Sequence, residues 1–164
     1  MRDIPVELER LLHAGIRLPD DVTPALAADI NAGGDLFTTV AEHSPDGLVC
    51  DLECLDSVDE YESVLRRIAE AAGRGDQLTD VKCVHNEDDS TCTVEFTFAG
   101  TRRLEEPDWF DDYADGMFLA ATAEEFAPAG KLAAIRLDEA LVVLYVPESE
   151  YAWIDELAQA GPEI

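Results

Sequence analysis

The stretch Thr91–Phe98, TCTVEFTF, constrains the fold more than any other part of the chain. Cys92, Val94, Phe96 and Phe98 alternate with Thr91, Thr93, Glu95 and Thr97. A two-residue period buries one face only when the segment is a strand packed on an apolar layer. A charged turn follows, and Pro107 stops the extended chain. Asp108 then stands where a helix needs an N-cap, and Phe110, Tyr113, Met117 and Ala121 recur at helical spacing. The expectation is a helix opening at Asp108, with those four residues as its core stripe. Trp109, Asp111, Asp112 and Asp115 fall outside the stripe and place an aromatic among acids at the helix start.

The flanking sequence supplies partners for this strand and helix. Residues 48–55 read as a strand, on which Cys50, Leu52 and Cys54 share a face. Ser57 and Glu60 have capping-box spacing, and Tyr61, Val64, Leu65, Ile68 and Ala72 keep helical spacing up to Gly73. Residues 78–85 form the next strand, joined by the polar turn 86–90 to Thr91. Residues 132–137 and 140–146 make a closing hairpin through Asp138 and Glu139, and Tyr151, Ile154 and Leu157 mark a last helix. The order predicts an α+β fold, β-α-β-β-α-β-β, with a mainly antiparallel sheet and helices on one face. A ferredoxin-like split arrangement with one extra strand satisfies that order.

Before it lies a helical preface. Residues 5–14 carry Leu8, Leu11 and Leu12 on one side, and Thr23 with Pro24 opens a second helix bearing Val22, Leu26 and Ile30. Residues 35–43 suit a short helix by Leu36, Phe37 and Val40, or a strand by Thr38-Thr39-Val40. The turn Ser44-Pro45-Asp46-Gly47 is the best internal boundary. With 164 residues, one domain is expected, divided into a preface (1–47) and an α+β core (48–164). The N-terminus shows no apolar signal segment and no run is long enough to span a bilayer, so a cytoplasmic protein with no membrane contact is expected.

Charge narrows the partners. Thirty-seven acids against 11 bases leave a net charge of −26, and residues 104–130 hold eight acids and no base. Such a chain repels phosphate backbones, which argues against direct nucleic-acid binding. Three readings fit the charge: a hydrated salt-adapted surface, a surface complementary to a basic partner, or carboxylates standing in for nucleic-acid phosphates. No catalytic signature is present and no cofactor is expected. Asp111-Asp112-Tyr113-Ala114-Asp115 spells D-D-x-x-D, but no base lies nearby to neutralise a diphosphate, and a solvated helix start accounts for the same acids. Glu87, Asp88 and Asp89 lack the spacing of a calcium loop and read as an acidic hairpin tip. Cys50, Cys54, Cys83 and Cys92 lack zinc-knuckle spacing and read as reduced, buried thiols. Trp109 admits two readings, a partly buried core residue or an interface anchor rimmed by Asp108, Asp111 and Asp112.

The sequence from the Thr91 strand through Gly100, a turn, Asp108-Trp109-Phe110-Asp111, a helix and a hairpin resembles small acidic immunity proteins of bacterial polymorphic-toxin systems. Separately, Leu18-Pro19-Asp20 with Asn31-Ala32-Gly33-Gly34 is similar to the LP…NGG opening of the SUKH immunity superfamily, interrupted here by Ala32. The first resemblance implies stoichiometric neutralisation of a co-encoded toxin, not catalysis. Asp108, Trp109, Asp111, Asp112 and Asp115, with Glu87, Asp88 and Asp89, form the candidate partner-binding set, facing the Lys and Arg of a basic toxin domain. A nucleic-acid-mimicking regulator and a small ligand-binding or metabolic domain with a salt-adapted surface are the competing expectations.

Overall fold

The unbroken apolar run ALVVLYVP explains the centre of the molecule. In the computed structural model, which describes residues 5–86, 91–110 and 113–160, this segment is β8 (Ala140–Pro147), paired antiparallel with β1 (Gly47–Asp51) on one side and β7 (Lys131–Leu137) on the other. A central strand covered on both faces can be apolar at every position. Leu141, Val143 and Tyr145 point into one core with α4 (Glu60–Ala71) and α5 (Gly116–Phe126). Val142, Leu144 and Val146 point into a second core with α1 (Val6–His13), α3 (Leu36–His43) and α6 (Tyr151–Ala160). Helix α2 (Thr23–Asn31) adds Ala27 to that second core.

The fold is α+β with antiparallel pairing throughout the described strands. Two features of the expected arrangement change. The helices lie on both faces of the β1-β8-β7 sheet, because the preface helices and α6 cover the side opposite α4 and α5. The strands also divide into two three-stranded sheets, since β2 (Leu78–Asn86), β3 (Thr91–Phe98) and β4 (Thr101–Glu105) pair among themselves. With β1 and β2 in different sheets, no split β-α-β crossover exists. Strand β3 behaves as its alternation requires: Cys92, Val94, Phe96 and Phe98 are all buried. Phe98 stacks on Phe126 of α5 with ring centroids 3.8 Å apart, and the Tyr145 hydroxyl donates to Ala123 O at 2.7 Å, so α5 is bound to both sheets.

Local chemistry decides the smaller questions. Residues 36–43 are helical because the Asp35 carboxylate accepts from the Thr38 N–H at 3.2 Å, supplying the N-cap that outweighs the β-branched pair. The Glu60 carboxylate reaches back to the Ser57 N–H at 3.3 Å, half of the anticipated capping box. The turn at residues 44–47 leads from α3 into β1 and, although Pro45 is exposed, it is tied to its surroundings on both sides. Asp46 is 2% exposed and holds Arg17 at 2.6 Å, and a Cβ on Gly47 would lie 2.6 Å from Ala41 O. Cys54 is exposed because β1 ends at Asp51 and the turn Leu52–Glu53 follows, so the expected strand does not reach Cys54. Among the described residues, no helix is long and apolar enough to cross a membrane.

Candidate functional site

The acidic corner is a hairpin before it is a helix. Trp109–Phe110 (β5) and Tyr113–Ala114 (β6) pair antiparallel, Trp109 opposite Ala114. Helix α5 begins only at Gly116, and its N-cap is Asp115, not Asp108. One Asp115 oxygen accepts from the Phe118 N–H and the other from the Asp108 N–H, both at 3.1 Å. This later start rotates the helix relative to the anticipated stripe. Leu119, Ala123 and Phe126 are buried, whereas Met117 is 73% exposed.

Tyr61, from α4, locks the hairpin to the core. Its hydroxyl accepts the Asp115 N–H at 2.7 Å and donates to Asp108 O at 3.0 Å. Burial raises its phenol well above the ordinary tyrosine value, so the group stays a neutral donor. The Tyr61 ring lies 5.8 Å from both the Trp109 and Phe118 rings. Trp109 itself is 4% exposed. The interface-anchor reading of Trp109 is therefore corrected: the hairpin turns the indole inward beside Ala114, and a buried ring offers a partner no surface.

Backbone bonds bring a third segment to the corner. Ala114 N–H donates to Leu52 O at 3.1 Å, and Leu52 N–H donates to Glu139 O at 3.3 Å, which joins the β7–β8 turn to the β5–β6 hairpin. The result is a cleft of about 200 Å³ with Leu52, Gly116 and Leu137 as its floor and Asp108, Asp115 and Asp138 among its lining residues. Met117 stands at its edge. Gly116 keeps the floor open, since a Cβ there would meet Leu137 Cδ1 at 2.6 Å and Leu52 Cδ1 at 2.8 Å. Of the candidate residues, the fold brings Asp108, Trp109 and Asp115 together. Asp111, Asp112, Glu87, Asp88 and Asp89 lie outside the described residues. Asp138 and Met117 are the members that sequence reasoning missed. Asp138 carried only a turn signal, and Met117 was placed in the core by a helix phase counted from the wrong cap.

Among the described residues, no arginine opposes these carboxylates. Every described arginine is engaged elsewhere: Arg17 with Asp46, Arg66 with Glu62, Arg102 with Glu95, Arg103 with Glu105 and Glu125, and Arg136 with Asp35. Arg67 donates to Val49 O, Arg74 to Phe126 O, and Arg10 lies over the Trp153 ring. The cysteines form no comparable site. Cys50 and Cys92 are buried, and burial pushes the Cys83 and Cys92 thiols up to about 11, which disfavours the reactive thiolate. Among the described residues, no three His, Cys, Asp or Glu side chains gather as a metal ion would need. Compared with protein-family models, curated proteins and solved structures, the chain matches none.

Proposed function

We propose that this chain is a stoichiometric protein inhibitor of the immunity type, which covers the basic active site of a co-encoded toxin with its acidic corner. One observation carries the reading: an apolar cleft bordered by Asp108 and Asp138, with no opposing arginine among the described residues, in a chain of net charge −26. A lysine or arginine from the partner suits such a cleft. Its alkyl stem packs on Met117 and Leu137 while its charged head meets the carboxylates. Asp115 serves by position, because its oxygens already accept two N–H groups within the hairpin. The charge of the whole chain then steers the encounter, and the desolvated contact at Met117 holds it.

The test uses the toxin-domain product of the gene adjacent to this chain's own. Co-expression should restore growth, and association of the purified pair should slow steeply as salt rises, because exposed charges are screened beyond about 8 Å at physiological ionic strength. Asp108→Asn with Asp138→Asn should lower the on-rate, and Met117→Ala should raise the off-rate. Binding that ignores all three changes in folded variants moves the interface away from this corner. Capture of a non-toxic DNA- or RNA-binding protein, in place of the toxin, replaces this reading with that of a nucleic-acid mimic.

A further inference from the structure

The β2-β3-β4 sheet has a face that no described helix covers. Its inner side joins the core through Cys92, Val94, Phe96 and Phe98. The outer side follows from the register: Val84 opposite Thr93, Lys82 opposite Glu95, Glu95 opposite Leu104, and Thr97 opposite Arg102. Val84 is 59% exposed and Leu104 62% exposed, each on one of the two edge strands. Between them run Thr93, Glu95 and Thr97, all only partly buried.

Charge selects the occupant. On this face Lys82 and Arg102 flank Glu95, and Arg102 bridges Glu95 at 2.9 Å. Asp80, whose carboxylate accepts from the Thr79 hydroxyl at 3.2 Å beside Thr97, adds a second carboxylate, so two cations and two carboxylates make the face neutral on a chain whose total is −26. A strongly basic partner gains more at the acidic corner, and a strongly acidic one is repelled by the molecule as a whole. A two-fold contact instead needs a patch complementary to itself. A surface carrying both signs and two exposed aliphatic side chains meets that need, and it is where two copies of this chain can touch with least repulsion.

We propose that the outer face of the β2-β3-β4 sheet is a self-association surface, through which two copies of this chain meet face to face. The sheet is small. Three strands about 4.8 Å apart, with a central strand of 8 residues at about 3.4 Å each, give a face of roughly 14 by 27 Å, or about 380 Å² per copy. That lies below the range of permanent dimers, so the association is weak and depends on concentration.

The experiment is sedimentation equilibrium of the whole chain from about 10 μM to about 1 mM, at low and high salt. The average mass should rise from 17.9 kDa towards twice that value. Association should strengthen with salt, since screening removes the repulsion between two highly negative bodies. This is opposite to the salt response expected at the acidic corner, so the two readings fail separately. Val84→Asp with Leu104→Asp should abolish the rise, and Lys82→Glu with Arg102→Glu should do the same by making the face wholly acidic. Val6→Asp, on the exposed side of α1, should leave it intact. Circular dichroism and melting temperature confirm that each variant is folded. A mass that stays monomeric across the range overturns the proposal. So does a dimer that survives both paired substitutions, or one that salt dissolves, because the contact would then lie on another surface or join the acidic corner to this face.

Discussion

Replacing Tyr61 by Phe isolates the contribution of one hydroxyl to the candidate site. The ring contacts with Trp109 and Phe118, both at 5.8 Å, are kept. What disappears is the bond from Asp115 N–H at 2.7 Å and the bond to Asp108 O at 3.0 Å. The Asp115 N–H sits in a partly buried hairpin with no water-facing alternative supplied by the Phe ring, whereas Asp108 is exposed and its carbonyl can turn to solvent. Leaving one such group unpaired and exchanging the other for water costs about 1–3 kcal/mol. With a urea slope of about 2 kcal/mol/M, the midpoint should fall by about 0.5–1.5 M at unchanged slope. Hydrogen exchange at the Asp115 amide should quicken by more than the global loss of stability explains, because the hairpin loses its tie to α4. A variant with the wild-type midpoint and a still-protected Asp115 amide would refute the claim that Tyr61 positions this corner.

Three further outcomes follow from the same structure. Arg136 is 8% exposed and binds Asp35, Leu157 O and Ala158 O, so Arg136→Ala leaves the Asp35 carboxylate without its counter-ion, held by Thr38 alone, and unpairs two helix-end carbonyls, and should cost about 3–5 kcal/mol in a denaturation experiment. Burial pushes Asp46 up, but the Arg17 hydrogen bond and the charge of Lys131 outweigh it and hold the carboxyl below its ordinary value. Its stabilisation is therefore complete above the unfolded value of about 3.9 and lost as pH falls through the lower folded value, and Asp46→Asn should flatten that part of a stability–pH curve. In thiol labelling of the native protein, exposed Cys54 should react first and buried Cys50 and Cys92 only as fast as the protein opens, a ranking that mass spectrometry of the labelled peptides checks.

Periodic segments were legible because their burial is local in origin. The alternation of Cys92 to Phe98 and the helical spacing of Tyr61 to Ile68 each demand one apolar face, and both faces are buried. The continuous run in β8 announced a buried strand. Glycine also spoke plainly where the left-handed region was needed, as at Gly73, whose φ of 71° follows the end of α4. The acid surplus, too, is a property of composition and needs no fold to be stated.

The tertiary structure decided the rest, because each remaining question compares groups distant in the chain. Asp108 and Asp115 are both competent N-caps by residue type. Tyr61, brought over on α4, ties the intervening residues into a hairpin and leaves the cap to Asp115. That single choice buried Trp109, which the sequence had left open between core residue and interface anchor, and exposed Met117, which helical spacing had placed in the core stripe. The cleft required Leu52, Gly116 and Leu137 to meet, which no local pattern encodes. Whether helices cover one face of a sheet or both depends on where the first 47 residues pack, and an amphipathic helix states only that it has an apolar side, never which surface that side will find.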